Sequence, residues 1–182
     1  MIKLLAISGS LRQGSINTKL LTAMAMAAPA GAMVTLFGGA GDLPLFNPDL
    51  EGREPKSVLD YWRMLAESDG VIIASPEYAH GYTGTIKNAL DWVVGNGGFV
   101  DKHVAVLNAA PRSSIAHSTL IEVLKTIDAQ IVRNASLDIP VLGRDLDMEG
   151  LLSDFELRPL IDQAFIELLR AIGSTAGISS QH

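Results

Sequence analysis

The chain has 182 residues, 48% of them apolar, which is enough for one well-filled core and short for two domains of ordinary size. A formal charge of −6 argues against a general nucleic-acid binder while leaving room for a local basic pocket for one phosphate. The absence of cysteine excludes a disulfide framework, a thiolate metal site and a Cys nucleophile, so any redox chemistry rests on a bound cofactor.

The opening run stops after a few apolar residues at a polar glycine turn, so Lys3–Ile7 reads as a buried strand rather than a secretory signal. A helix is predicted over Asn17–Ala28, closed by Pro29 and Gly31, and a strand over Met33–Phe37. Gly38–Pro48 is too rich in Gly and Pro for a regular element yet carries aliphatic and aromatic residues, as an ordered surface loop does. Pro55 opens a helix reaching Ser68, where its missing N–H costs little. Strands follow at Gly70–Ser75, His103–Asn108 and Gln130–Ile139, alternating with helices at Gly84–Val94, Ser114–Ile127 and Asp154–Ile172, the last ending at Gly173. The strands lack polar alternation, as strands buried on both faces of a parallel sheet do. Residues 1–173 are expected to form one domain, and the small, polar Ser174–His182 segment a flexible tail. No segment approaches the roughly 20 apolar residues that span a bilayer, so the expectation is a cytoplasmic protein without a membrane partner.

The turn after the first strand, Ser8-Gly9-Ser10-Leu11-Arg12-Gln13-Gly14-Ser15-Ile16-Asn17-Thr18, crowds hydroxyls, glycines, a guanidinium and an amide between a strand and a helix. Helix N-terminal N–H groups, hydroxyl donors and a forked guanidinium suit a phosphate. The plainer reading is a polar loop in which Ser15 or Asn17 caps the helix. The turn matches neither the dinucleotide glycine fingerprint nor the P-loop, and a single terminal phosphate suits it better.

After the third strand comes Pro76-Glu77-Tyr78-Ala79-His80-Gly81-Tyr82-Thr83-Gly84-Thr85-Ile86-Lys87-Asn88-Ala89-Leu90-Asp91-Trp92. With the first turn, this stretch resembles the NADPH-dependent FMN reductase family, whose members carry G-S-[LI]-R-x-x-S-x-N and then P-E-Y-N, a spacer and P-G-x-L-K-N-A-x-D-W. Leu43–Glu51 also resembles the family's loop after the second strand. The resemblance implies an α/β flavodoxin-like three-layer sandwich with a five-stranded parallel sheet in the order 2-1-3-4-5. Hydrophobic periodicity alone leaves that order open.

By the same resemblance, Ser10, Arg12, Ser15 and Asn17, with Thr18 in addition, hold the phosphate of FMN, and Pro76, Glu77 and Tyr78 line its ring and ribityl chain. Two positions depart from the pattern. Ala79 replaces the family's Asn and leaves only a backbone contact, and Thr83 replaces its Pro. Lys87, Asn88, Asp91 and Trp92 are assigned to helix packing and a subunit contact. The fourth-strand loop, Asn108–Ser114, lacks the family's glycines. There Arg112 has two readings, a guanidinium stabilising negative charge near the flavin's N1 edge or a solvent-exposed side chain beside a helix start. His80 reads as a polar loop residue in preference to a proton donor, and the histidines show no metal-ligand spacing.

The implied activity is electron transfer from NADPH or NADH through FMN to a small-molecule acceptor, a quinone, free flavin or similar, by a homodimer or homotetramer. Competing readings are a flavodoxin-type FMN electron carrier and a flavin-free binding domain on the same fold.

Overall fold

The computed structural model describes residues 1–111 and 114–179, with side chains described through residue 175. The chain runs β1 (Ile2–Ser8), α1 (Ile16–Met26), β2 (Ala32–Phe37), α2 (Lys56–Ala66), β3 (Gly70–Ala74), β4 (Glu77–Tyr78), β5 (Gly81–Tyr82), α3 (Gly84–Val94), β6 (His103–Leu107), α4 (Ser114–Thr126), β7 (Gln130–Ile131), α5 (Met148–Ser153) and α6 (Leu157–Ser179). Five strands pair in parallel in the order β2-β1-β3-β6-β7, which is 2-1-3-4-5 counted along the main sheet, as expected.

Side chains alternate across a strand, and that period of two sorts the sheet residues into two cores. Leu5, Ile7, Val71, Ile73, Val104 and Val106 pack against α2, α3 and α4 through Tyr61, Leu65, Leu90, Val93 and Leu120. Their neighbours Leu4, Ala6, Ile72, Ala74, Ala105 and Leu107 pack against α1, α5 and α6 through Leu20, Met24, Leu151, Ile161 and Phe165. The result is three layers. The register pairs Ser8 with Ala74 and Ala74 with Leu107, so the loops leaving β1, β3 and β6 emerge together at the carboxyl edge of the sheet. In an open α/β sheet that edge, on either side of the first strand, is where ligands bind.

One predicted strand is interrupted and one predicted helix has different bounds. The strand expected over Gln130–Ile139 pairs only at Gln130–Ile131 and again at an isolated bridge between Asn108 and Asp138. Between them the Ser136 hydroxyl replaces a backbone acceptor: it accepts from Val106 N at 3.0 Å and donates to Val132 O at 3.0 Å, folding the chain into a short 3-10 turn at Arg133–Ala135. The helix expected over Asp154–Ile172 is present as α6 but starts at Leu157, and a short helix that was not expected, α5, precedes it. Asp154 Oδ1 accepts from Glu156 N at 2.9 Å and Leu157 N at 3.0 Å, which stops one helix and starts the next. The second helix runs through Gly173 to Ser179 rather than ending there. Among the described residues no helix is long and apolar enough to cross a membrane.

Candidate functional site

The first wall of the site grows from β1. Gly9 N continues the ladder onto Ala74 O at 2.8 Å, and the chain then turns. Ser10 N donates to Ser8 Oγ at 3.2 Å, Arg12 N to Ser10 Oγ at 3.4 Å, and Ser15 N to Arg12 O at 3.1 Å. Ser15 caps α1, its hydroxyl accepting from Thr18 N at 3.3 Å. The first backbone bond of the helix runs from Lys19 N to Ser15 O, so the N–H groups of Ile16 and Asn17 precede it and have no partner among the described residues. They form the positive end of the α1 dipole.

The second wall follows β3. Tyr78 pairs with Gly81, leaving Ala79 and His80 as a two-residue hairpin tip with φ of 50° and 60°. Both central residues at positive φ is the requirement of a type I′ turn, which Asn and Gly meet more easily than Ala. The hairpin is fastened at three points. Ser75 Oγ accepts from Thr83 N at 3.4 Å, and Glu77 Oε1 meets His80 Nδ1 at 3.2 Å. The other oxygen, Glu77 Oε2, accepts from Ala116 N at 2.9 Å in the first turn of α4. The carboxylate therefore caps a helix far along the chain and ties the third-strand loop to the fourth-strand loop. Thr83 is the N-cap of α3, its hydroxyl accepting from Ile86 N at 3.3 Å, so the residue that replaces the family's Pro starts the same helix by another means.

Between the walls lies a cleft of about 250 Å³. Ser10, Arg12, Ser15 and Asn17 line one side, and Pro76, Glu77 and Tyr78 the other. Seven of the predicted residues thus meet in one place. Thr18 does not line it: its hydroxyl lies 2.7 Å from Ser8 Oγ, bracing the strand-to-helix junction. Ala79 sits outside it at the hairpin tip, and Arg112 lies outside the described residues. Ala110 and Leu142 also line the cleft and were missed, Leu142 because an apolar residue in a loop carries no sequence signal of its own. Ala110 is positioned by Asn108, whose Oδ1 accepts Ala110 N at 3.1 Å while its amide donates to Asp138 Oδ1 at 2.9 Å. An adjoining cleft of about 350 Å³, lined by Leu11, Thr83, Gly84 and Thr85, shares Ser10, Arg12 and Tyr78 with the first.

Two of the residues assigned to packing, Asn88 and Trp92, brace the ordered loop predicted after the second strand, while Lys87 and Asp91 pair with each other. Asn88 accepts from Phe46 N at 2.8 Å and donates to Pro44 O at 2.9 Å, and Trp92 Nε1 donates to Pro44 O at 2.7 Å.

The donor set fits FMN. Arg12 is in no ion pair among the described residues, the α1 N–H groups are unpartnered, and the one carboxylate in the cleft, Glu77, is directed at α4 and His80. A phosphate answers those donors, and the Pro76–Tyr78 wall offers backbone and an aromatic ring to a flat heterocycle. Fold and cleft define a flavodoxin-like α/β protein with a cluster of hydrogen-bond donors at the carboxyl edge of its sheet. Residues 2–140 match the profile of the NADPH-dependent FMN reductase family, to which the chain belongs. It is 32% identical over 168 residues to the NAD(P)H-dependent FMN reductase of Pseudomonas aeruginosa, covering 89% of this chain and 90% of that one. It is 33% identical over 94 residues, half of each chain, to the quinone reductase of Escherichia coli K12. Among solved structures, the flavoenzyme NAD(P)H:(acceptor) oxidoreductase FerB of Paracoccus denitrificans superposes with a TM-score of 0.79 at 25% identity, covering 96% of this chain and 98% of that one.

Proposed function

We propose that the protein is an FMN-dependent NAD(P)H oxidoreductase that reduces a quinone, free flavin or similar small acceptor, working in the cytoplasm as a homodimer or homotetramer. One observation carries the reading: a helix N-terminus, with a guanidinium that is in no ion pair among the described residues, faces a Pro-Glu-Tyr wall across one cleft at the carboxyl ends of β1 and β3. FMN, when bound, supplies the two-electron relay between the nicotinamide nucleotide and the acceptor.

The chain's own groups bind and orient. Arg12 and the Ile16 and Asn17 N–H groups hold the phosphate, with Ser10 and Ser15 adding hydroxyl contacts. Pro76 and Tyr78 hold the ring and ribityl chain, and Glu77 keeps their loop in place through α4. Tyr78 is largely exposed and stands between the two clefts, so the adjoining cleft, bordered by Leu11 and Thr83–Thr85, receives the nucleotide and the acceptor in turn. No side chain acts as a nucleophile.

A visible spectrum before and after anaerobic NADPH tests the reading. Flavin absorbance that bleaches supports it. Flavin that is retained but not bleached by NADPH or NADH favours an electron carrier, and no flavin even after FMN is supplied favours a binding domain. Light scattering reads the oligomer.

A further inference from the structure

Away from the flavin cleft, at the other end of α3, a cavity of about 290 Å³ opens between that helix, α2 and the loop after β2. Its walls are Phe46, Trp62 and Trp92, and its rim carries Glu51 and Glu54. Both indole donors are already committed to main chain, Trp62 Nε1 to Trp92 O at 2.8 Å and Trp92 Nε1 to Pro44 O at 2.7 Å. Phe46 meets Trp92 edge-on, with centroids 5.2 Å apart and rings at 90°. The aromatic groups are thus held in place; Trp92 is buried behind the cavity wall, and Phe46 and Trp62 are the rings that keep surface toward the cavity, offering it π surface rather than hydrogen-bond donors.

The carboxylates have no counter-charge. Neither Glu51 nor Glu54 is in an ion pair among the described residues. Glu54 Oε1 accepts from Gly52 N at 2.8 Å, and Glu51 Oε1 lies over Gly95, 3.9 Å from where a Cβ would stand. The cations nearest in sequence are turned elsewhere: Arg53 donates to Asp49 O and Lys56 pairs with Asp60. No Lys or Arg lines the cavity.

Three classes of occupant are separated by this chemistry. A hydrated metal ion would use the carboxylates and waste the aromatic walls, and a neutral ring would use the walls and leave two carboxylates losing water without compensation. An alkylated ammonium uses both, its methyl groups packing on the rings while its charge answers the ring quadrupoles and the carboxylates. We propose that this cavity is a binding site for a small organic ammonium ion, separate from the flavin site.

The chain has two tryptophans and both line the cavity, so intrinsic fluorescence reports on it directly. The flavin-loaded protein is titrated at constant ionic strength with choline and, in parallel, with 3,3-dimethylbutan-1-ol, its uncharged isostere. The expected result is a saturable change with choline and binding of the alcohol weaker by at least about tenfold. In a Glu51→Gln/Glu54→Gln double variant choline binding should weaken by a similar factor, with flavin content and thermal midpoint unchanged. No saturable response to choline, as when a second copy of the chain covers the cavity, overturns the proposal. So does an equal response to the alcohol, or unchanged choline affinity in the double variant.

Discussion

One wall of the proposed flavin cleft is shaped mainly by its neighbours in the chain, and the other is anchored by a residue far along it. From Ser10 to Thr18 the hydrogen bonds that shape the first wall close within ten residues and the turn ends in an ordinary Ser cap, while Gly9 N on Ala74 O and Lys19 Nζ on Leu146 O fasten its two ends to the rest of the fold. The second wall carries a hairpin tip with Ala79 and His80 at positive φ, and is held by Glu77 on Ala116, 39 residues away. A wall whose turn is shaped by local bonds keeps that turn when contacts across the cleft are lost. A strained wall held from a distance keeps its shape only while its anchor holds, so the two should respond differently to substitution.

The largest effect is expected on the first wall. Arg12→Ala removes a guanidinium that is in no ion pair among the described residues, without disturbing the cap. Hydrogen bonds to charged groups contribute about 1.5–3 kcal/mol, so FMN should bind on the order of a hundredfold more weakly. Riboflavin, which lacks the phosphate, should bind almost as before. Titrating the apo variant with both ligands checks this, and an equal loss for the two would remove Arg12 from the phosphate.

Next comes the point where the walls touch. A Cβ on Gly9 would stand 2.5 Å from Ser75 Oγ and 2.8 Å from both Ser75 Cβ and Ile86 Cγ1, atoms of the opposite wall and of α3. Gly9→Ala should therefore push the walls apart, at about 2 kcal/mol of stability and roughly 4–8 °C in Tm. A thermal scan that leaves Tm unchanged would mean that the walls move independently.

The second wall's anchor is tested by Glu77→Ala, which leaves Ala116 N–H without its acceptor and should cost about 1.5 kcal/mol. Glu77→Gln keeps an acceptor oxygen and should recover most of that. Hydrogen exchange resolves the difference: protection should fall in the first turn of α4 and in the β4–β5 hairpin together, while α1 stays unchanged.

The contrast between the walls is also the contrast between what could and could not be read from residue order. Ser10, Arg12, Ser15 and Asn17 were legible because a strand-to-helix turn brings its own residues together, and the parallel sheet was legible from the aliphatic runs of β1, β3 and β6. The link from Glu77 to α4 was not, because a carboxylate in a loop carries no mark of which helix it caps. Leu142 is held beside the cleft by its N–H bond to Ala109 O at 3.0 Å, a link between two loops that residue order does not show, and nothing about Ser136 in the sequence announces that it will take the place of a backbone acceptor. Thr18, added to the phosphate-holding set by the family resemblance, has its hydroxyl turned back onto Ser8 instead of lining the cleft, a direction that residue order does not show.

The smallest effect concerns the hairpin tip. Ala79 has φ of 50°, a conformation that for an ordinary L-residue costs about 1–2 kcal/mol relative to the right-handed helical region. Glycine relieves that strain, but its unfolded chain is more flexible by about 0.4–1 kcal/mol, so Ala79→Gly should change stability little. Asparagine tolerates the left-handed region without that entropic cost, so Ala79→Asn should stabilise by about 0.5–1 kcal/mol. A β-branched residue has its χ1 freedom cut and crowds the backbone, so Ala79→Val should destabilise by at least as much. Urea midpoints at constant slope give the ranking directly, Asn above Gly and Ala, and Val last. Equal midpoints for all four would mean that the tip relaxes out of the type I′ turn in solution, and the second wall would then owe its shape to Glu77 and Ser75 alone.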